Sequence, residues 1–177
     1  MPDEIYSQGP ESNMVEIPTT RICLVRHGET EWNMERRIQG QIDIALNPTG
    51  LDQAVAAGLS LRNAGIVALY SSDLKRAWAT AQAIGVALGL SPVAVPEMRE
   101  RRYGIFEGLT YDEARARFPE GYAAFARRDV DYSFDRGESL KQMAARVTAG
   151  VDAATEYCMA AAYPKPEDAL FPVFGKM

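Results

Sequence analysis

The stretch Ile22-Cys23-Leu24-Val25-Arg26-His27-Gly28 decides how this chain is interpreted, because an apolar run ends there on an arginine and a histidine. The run predicts a buried strand of a parallel sheet over residues 21–27. Ligands of α/β proteins bind at the carboxyl ends of such strands, where His27 would lie. His27 is the only histidine in the 177-residue sequence. A mechanism that requires two histidines therefore cannot operate on this sequence as written.

Length and composition favour one ordinary globular domain, since 47% of the residues are hydrophobic and 24% are charged. The formal charge of −5 and the lack of a basic stripe argue against nucleic acid as a partner, although local arginines can still bind an anion in a cleft. No apolar run is long enough to span a membrane, and the acidic N-terminus does not resemble a signal peptide. Cys23 and Cys158 lack metal-ligand spacing and are expected to be reduced. We therefore predict a cytoplasmic protein that needs no metal or other cofactor.

The chain divides into a polar, mobile leader (1–19), one domain (20–162) and an atypical tail (163–177). Within the domain, strands are expected at 21–27, 66–70 and 92–96. Helices are expected from Thr49, after Ser71-Ser72-Asp73, from Thr110 and from Ser139. This alternation of strands and helices predicts an α/β fold, a three-layer α/β/α sandwich with a mainly parallel sheet.

The apolar spacing within the helices predicts which faces are buried. The first helix should turn one face inward and end at Gly65, that face being Leu51, Ala54, Val55, Gly58 and Leu59. The second helix should end at Gly89. Thr110 with Glu113, and Ser139 with Gln142, form capping-box patterns for a short helix ending near Pro119 and a long helix running to about Ala162.

Five ordered blocks of the sequence together resemble the histidine phosphatase superfamily, also called phosphoglycerate mutase-like. The resemblance covers about residues 21–150, and a bare Arg-His-Gly tripeptide would be much weaker evidence. The matching residues are Leu24 to Asn33, Gln39-Gly40 with Asp43, Leu46 to Leu51, Tyr70 to Ala77, Arg99-Glu100 with Gly104 and Glu107-Gly108-Leu109, and Gly137 to Leu140.

The resemblance implies phosphoryl transfer and assigns a role to each candidate residue. His27 would be the nucleophile, Arg26 and Arg76 would bind the phosphoryl oxygens, and Glu100 would be the general acid. This chemistry suits the residue types, because an imidazole can attack phosphorus and guanidinium groups match phosphoryl geometry. A carboxyl that acts as an acid at neutral pH needs a raised pKa, from burial or from the charge of the incoming phosphate. The pocket would be completed by Asn33, Gln39 and Gly40.

Each assignment has a structural alternative. Arg76 could be a solvated helix residue, as Lys75 is expected to be. Glu100 lies in the charged run from Arg99 to Arg102, which could be a salt-bridged surface loop. Arg127 and Arg128 are expected to be surface charges.

Two features separate the possible activities. The segment from Glu100 to Gly104 looks like the acid-bearing segment of the mutases, which implies Arg101 and Tyr103 as substrate contacts. Tyr111, however, stands where those mutases carry a lysine, and the route from Arg128 to Gly137 is much shorter than the mutase segment that covers the site. A more open pocket admits water, so we expect a phosphatase acting on small phosphate monoesters. The alternatives are a phosphoglycerate mutase and a non-catalytic phosphate-binding remnant.

The C-terminal part of the sequence departs from the family, which places a second catalytic histidine in a His-Gly context after the long helix. In one interpretation Phe174-Gly175 occupies that position, although Pro172 would remove a donor from a central strand. In the other, which we favour, the tail is unrelated sequence from truncation or a shifted frame. Either one implies a fold whose C-terminal part is missing or altered and an enzyme that is weakened. An unpaired edge on the first strand would then favour homo-oligomers.

Overall fold

The computed structural model describes residues 21–160 of the chain. The predicted leader (1–19) and the atypical tail (163–177), with Phe174-Gly175, lie outside the described residues. The described part falls within the predicted domain, whose boundaries at 20 and 162 stay predictions.

Six helices and two short strands make up the regular structure of this described part. The helices are α1 (Glu31–Met34), α2 (Pro48–Leu61), α3 (Lys75–Leu88), α4 (Tyr111–Arg117), α5 (Pro119–Ala126) and α6 (Leu140–Ala160). The strands are β1 (Tyr70–Ser71) and β2 (Val93–Ala94), and two turns of 3₁₀ helix cover Pro96–Met98 and Gly104–Phe106. None of the helices within residues 21–160 has both the length and the apolarity needed to cross a membrane.

The two strands pair in parallel, as the alternation of strands and helices predicts. Tyr70 lies opposite Val93 and Ser71 opposite Ala94. The backbone N–H of Val93 donates to the carbonyl of Leu69 at 2.8 Å, which extends the pairing by one residue. Helices α2 and α3 form one helical layer, and α6 packs along the strands in a second layer, where Gly150, Ala153 and Ala154 face β1 and β2.

The prediction of a regular buried strand over residues 21–27 is wrong for the described part of the chain. The segment is extended, but its backbone pairs with no other residue of the part that the structure describes. Its apolar side chains are exposed, with Leu24 at 92%. The second expected strand is likewise regular only at Tyr70–Ser71, and Val67 before it is exposed. A strand needs a partner for its backbone donors and acceptors, so an apolar run alone does not make one.

Helices α2 and α3 pack through small residues, which corrects the predicted inward face of α2. Gly58 comes so close to α3 that a Cβ there would lie 2.9 Å from the Cβ of Ala87, and Ala54 is fully buried. The larger side chains predicted to face inward, Leu51, Val55 and Leu59, are about half exposed. Close approach of the two backbones at Gly58 leaves these side chains at the outer edge of the pair.

Several predicted helix ends are confirmed, but α2 ends at Leu61, four residues before the predicted Gly65. The capping boxes at Thr110 and Ser139 are confirmed by reciprocal hydrogen bonds, and α3 ends at Gly89. Helix α2 instead begins at Pro48, one residue before the predicted Thr49, because the side chain of Asn47 accepts from the backbone N–H of Gly50 at 2.8 Å.

The start of α3 shows the second capping error. Ser71-Ser72-Asp73 provides no side-chain cap, and the N-cap is Leu74. Asp43, from the loop after α1, accepts a hydrogen bond from the backbone N–H of Lys75 at 2.7 Å. Asp73 instead pairs with Arg99. A cap supplied from 32 residues away cannot be recognised by local spacing.

A cluster of aromatic rings forms the core beside the candidate site. Phe106 has no exposed surface and packs against Phe134 at a centroid distance of 4.8 Å in a T-shaped arrangement. Around these two rings lie Ile38, Ala114, Tyr103, Ile105, Leu109, Phe118, Tyr122, Phe125 and Tyr132. This cluster supports the segment 100–109, which carries Glu100.

Candidate active site

The two ring nitrogens of His27 have different hydrogen-bond partners. Its Nδ1 lies 2.7 Å from the carbonyl oxygen of Gly28, and its Nε2 accepts a hydrogen bond from Nε of Arg76 at 3.2 Å. A carbonyl can only accept, so Nδ1 carries the proton and Nε2 presents its lone pair. Burial lowers the pKa of His27 below 6.5, and the charges of Arg76 and Arg26 act in the same direction, against the opposing effects of the Gly28 carbonyl and Glu100. The imidazole is therefore neutral at pH 7.

Arg76 is a buried cation that is fully oriented by its surroundings. Only 1% of its surface is exposed. Its Nη1 donates to the carbonyl of Ile42 at 3.0 Å and its Nη2 to the carbonyl of Gly40 at 2.6 Å. Burial lowers the pKa of the guanidinium, while Glu100, Asp43 and Glu107 oppose that shift. An arginine remains charged in such a site, so Arg76 supplies a fixed positive charge next to Nε2 of His27.

A close backbone approach fixes the position of the segment after His27. A Cβ on Gly28 would lie 2.2 Å from the carbonyl oxygen of Gly50, at the start of α2, so only glycine fits. The N–H of Gly28 donates to Oγ1 of Thr80 at 3.1 Å. That hydroxyl donates in turn to the carbonyl of Arg76 at 2.8 Å. Thr80 thus connects the His27 segment to the helix that carries Arg76.

Arg26 and Glu100 lie at the exposed side of the site. Both are close enough to His27 to influence its protonation. Arg26 is exposed, and its side chain makes no hydrogen bond within residues 21–160. Glu100 is also exposed, and its Oε1 accepts from the N–H of Arg101 at 2.7 Å. The described residues therefore do not bury Glu100.

Of the three further predicted pocket residues, Gln39 and Gly40 lie on the loop that contacts Arg76, whereas Asn33 lies in α1. Gly40 contributes the carbonyl that accepts from Arg76. Gln39 is 8% exposed, and its Oε1 has no hydrogen-bond partner in the described part of the chain. Asn33 uses its Oδ1 to accept from the N–H and the hydroxyl of Thr30, each at 3.0 Å. Asn33 therefore takes part in the capping box at the start of α1. The buried amide oxygen of Gln39 remains available to a donor.

Arg101 and Tyr103, the predicted substrate contacts, are packed into the aromatic cluster. Arg101 is 3% exposed and donates to the carbonyls of Glu138 at 3.0 Å and Tyr132 at 2.9 Å. Its guanidinium lies 4.6 Å from the ring centroid of Phe134. Burial raises the pKa of Tyr103 to about 12, so its phenol is neutral. These contacts favour a structural role for both residues, and their contact with substrate stays a prediction.

The sequence alone did not predict a role in the site for three further residues. They are Asp43, Thr80 and Glu107, all of which hold backbone or side-chain positions around Arg76. For Thr80 a signal existed, because it follows Arg76 by four residues and so shares its helix face. Glu107 belongs to the Glu-Gly-Leu block that resembles the family, but that block alone does not indicate a role for its carboxylate. Within residues 21–160 no group of three or more His, Cys, Asp or Glu side chains could hold a metal ion.

Comparison with known proteins identifies the family. The family model described as "Histidine phosphatase superfamily (branch 1)" matches residues 22–160. Phosphoglycerate mutase-like protein 4 of Arabidopsis thaliana is 46% identical over 138 residues, which are 75% of this chain and 59% of that protein. A metal-independent phosphoserine phosphatase of the same plant is 45% identical over 139 residues, 77% of this chain and 58% of that protein. The chain thus spans about three-fifths of the length of these curated relatives.

The solved structures agree with this result. A mycobacterial glucosyl-3-phosphoglycerate phosphatase, solved in complex with VO3, has a TM-score of 0.69 and 35% sequence identity, and the match covers 74% of this chain and 62% of that one. The predicted resemblance and the α/β fold of the phosphoglycerate mutase-like type, with its parallel sheet, are both confirmed. The chain belongs to the histidine phosphatase superfamily, branch 1.

Proposed function

We propose that the chain transfers a phosphoryl group from small phosphate monoesters through a phosphohistidine at His27, and that water then takes up the phosphoryl group. The observation that carries this proposal is the geometry of the ring. Its proton is committed to the Gly28 carbonyl at 2.7 Å, and its Nε2 lies 3.2 Å from the Nε of Arg76. A neutral nucleophile beside a fixed cation is what an incoming phosphoryl dianion requires.

The two half-reactions can be assigned to residues. In the first, the Nε–H of Arg76 turns from Nε2 of His27 to a phosphoryl oxygen, which frees the Nε2 lone pair to attack phosphorus. The P–N bond forms as the ester P–O bond breaks, and Glu100 gives its proton to the departing oxygen. Arg76 and Arg26 bind the equatorial oxygens, and the amide of Gln39 contributes to the pocket beside Gly40. In the second, Glu100 as a carboxylate takes a proton from water, which attacks phosphorus and releases His27 and inorganic phosphate.

Hydrolysis is favoured over transfer back to the substrate. Tyr111 is 45% exposed and stacks on Phe125, so at this position the chain offers a neutral ring in place of a cation. The segment 127–139 connects α5 to α6 through 13 residues that form neither helix nor strand. A short segment leaves the site open to water, whereas a mutase must hold its intermediate away from water. Relatives with mutase names and relatives with phosphatase names both match the chain.

The absence of a second histidine from this sequence predicts a weakened enzyme. One donor to the transferring phosphoryl group would be missing, and loss of one such donor typically costs about two to three orders of magnitude in rate. We therefore expect the intermediate to form slowly. Association of copies through the exposed segment 21–26 stays a prediction.

The test is detection of phosphohistidine after incubation with a ³²P-labelled phosphate ester and denaturing quench at alkaline pH. The sequence contains a single histidine, so acid-labile and alkali-stable label that is lost in His27→Ala locates to His27. We expect label on the wild-type chain and none on His27→Ala. A folded wild-type chain that binds inorganic phosphate but neither labels nor releases phosphate would overturn the enzyme proposal in favour of the phosphate-binding remnant. Return of label to a different oxygen of the same substrate would favour the mutase.

A further inference from the structure

Glu107 occupies an unusual position between two loops of the site. It follows the 3₁₀ turn Gly104–Phe106, and its side chain is half-buried. A single carboxylate oxygen, Oε1, accepts from the backbone N–H of Gln41 at 3.0 Å and from that of Tyr103 at 2.9 Å. These two donors are 62 residues apart in sequence, so one oxygen joins two distant segments.

The first of these segments orients Arg76. Its carbonyls at Gly40 and Ile42 accept the two terminal nitrogens of Arg76, and the N–H of Gln41 lies between those two carbonyls along the chain. Fixing this N–H therefore fixes the plane of the peptide whose oxygen, on Gly40, lies 2.6 Å from Arg76. Glu107 also lies near enough to the guanidinium to favour its charged form.

The second segment carries the predicted general acid. Tyr103 follows Glu100 by three residues, and the carbonyl of Glu100 accepts from the side-chain amide of Gln41 at 3.0 Å. The Glu107 carboxylate and the Gln41 amide thus bridge the same two loops. The Gln41 bridge is solvent-exposed, whereas the bridge through Glu107 is partly buried and therefore stronger.

The backbone of Gly40 is adapted to this contact. Its φ is +53°, and a Cβ at this residue would lie 2.1 Å from Oε1 of Glu107. Any other residue would displace the carboxylate and would be strained besides. The glycine thus serves the approach of Glu107 as well as the turn of the loop.

We propose that Glu107 is a positioning residue that sets Arg76 and Glu100 relative to His27 by holding both loops on one carboxylate oxygen. The kinetic effects expected from this role rest on the proposed function. The structural effects depend only on the contacts described above. Among the described residues, the hydrogen bonds of the Glu107 carboxylate go to the N–H groups of Gln41 and Tyr103 and not to His27. It acts by fixing the backbone at Gln41 and Tyr103, and those two segments in turn orient Arg76 and Glu100.

Two variants separate hydrogen bonding from charge. Glu107→Gln keeps an acceptor oxygen for both N–H groups and removes the charge, whereas Glu107→Ala removes both. We expect the rate of phosphohistidine formation to fall about 100-fold in Glu107→Ala, the effect of misplacing reacting groups by about 1 Å. We expect a loss of less than about tenfold in Glu107→Gln. Glu120→Ala, at an exposed glutamate of α5, is the matched control and should behave as wild type.

The choice of substrate distinguishes positioning from general loosening. Alkyl phosphates need a proton from Glu100 for their departing oxygen, whereas p-nitrophenyl phosphate leaves without one. A displaced Glu100 segment should therefore slow alkyl phosphates more than p-nitrophenyl phosphate in Glu107→Ala. Equal losses for both substrates, or a Glu107→Gln variant as slow as Glu107→Ala, would overturn the proposal.

A structural readout keeps the inference testable if the proposed function fails. Amide hydrogen exchange should show protection at Gln41 and Tyr103 in the wild type and in Glu107→Gln, and loss at both residues together in Glu107→Ala. Denaturant unfolding verifies that each variant is folded. If the wild-type chain forms no phosphohistidine, the proposed function falls while the exchange data still decide the role of Glu107. Unchanged protection at either amide in Glu107→Ala would contradict it.

Discussion

The aromatic cluster around Phe106 and the extended segment 21–26 are both rich in apolar side chains. The cluster is buried, whereas the segment is exposed. Phe106 is fully buried with rings on several sides, whereas Leu24 is 92% exposed and its backbone pairs with nothing in residues 21–160. One region carries Glu100 and the other leads to His27. Burial thus follows from the partners that the fold supplies, and composition alone does not determine it.

The largest effect is expected from emptying the cluster. Phe106→Ala removes a ring that touches Phe118, Phe125 and Phe134, and should lower the free energy of unfolding by about 3–5 kcal/mol. Denaturant unfolding measures it. Val86→Ala, at an exposed site on α3, should stay within about 0.5 kcal/mol of wild type. Similar losses from both changes would contradict the assignment of Phe106 to a buried core.

The next effect tests whether Arg101 belongs to the cluster or to the substrate. Arg101→Lys cannot reproduce two directed donors to the carbonyls of Glu138 and Tyr132, so we expect a loss of about 1–3 kcal/mol in stability. Phosphate affinity of the folded variant should be unchanged. A stable variant with weakened phosphate binding would return Arg101 to the set of substrate contacts.

A smaller effect is expected from the protonation of His27, which follows the extended segment. Burial lowers the pKa of His27 below 6.5 in the folded chain, so the unfolded chain binds the proton more readily. The free energy of unfolding should therefore fall as pH drops through about 6.5, and this part of the decline should be absent in His27→Asn. Carboxylates titrate in both proteins and cancel in the difference. NMR titration of the single imidazole gives the pKa directly, and a value above 6.5 would contradict the description.

The smallest effect is expected in the extended segment itself. Leu24→Ser changes a side chain that is exposed in the described structure, so the free energy of unfolding should move by less than about 0.5 kcal/mol. Solubility should improve if copies associate through this segment. A loss above about 2 kcal/mol would show that Leu24 is buried in solution, by another part of the chain or by a second copy.

Local signals predicted several helix ends. Thr110 and Ser139 cap helices because their side chains satisfy backbone groups three residues away, and such patterns are visible in sequence. The pairing of His27 with Arg76 came from the family resemblance. What could not be predicted involves contacts over long separations. Asp43 caps a helix 32 residues later, and Glu107 bridges loops that no local pattern connects.

The contact between Gly28 and Gly50 has a consequence for anyone who wishes to alter this protein. Each glycine leaves no room for a side chain, because a Cβ would lie 2.2 Å from the oxygen of Gly50 in one case and 2.1 Å from that of Glu29 in the other. In a library that randomises the loops for new substrates, these two positions should accept no other amino acid. Diversity is better directed to an exposed residue such as Arg102, whose side chain lines an open pocket.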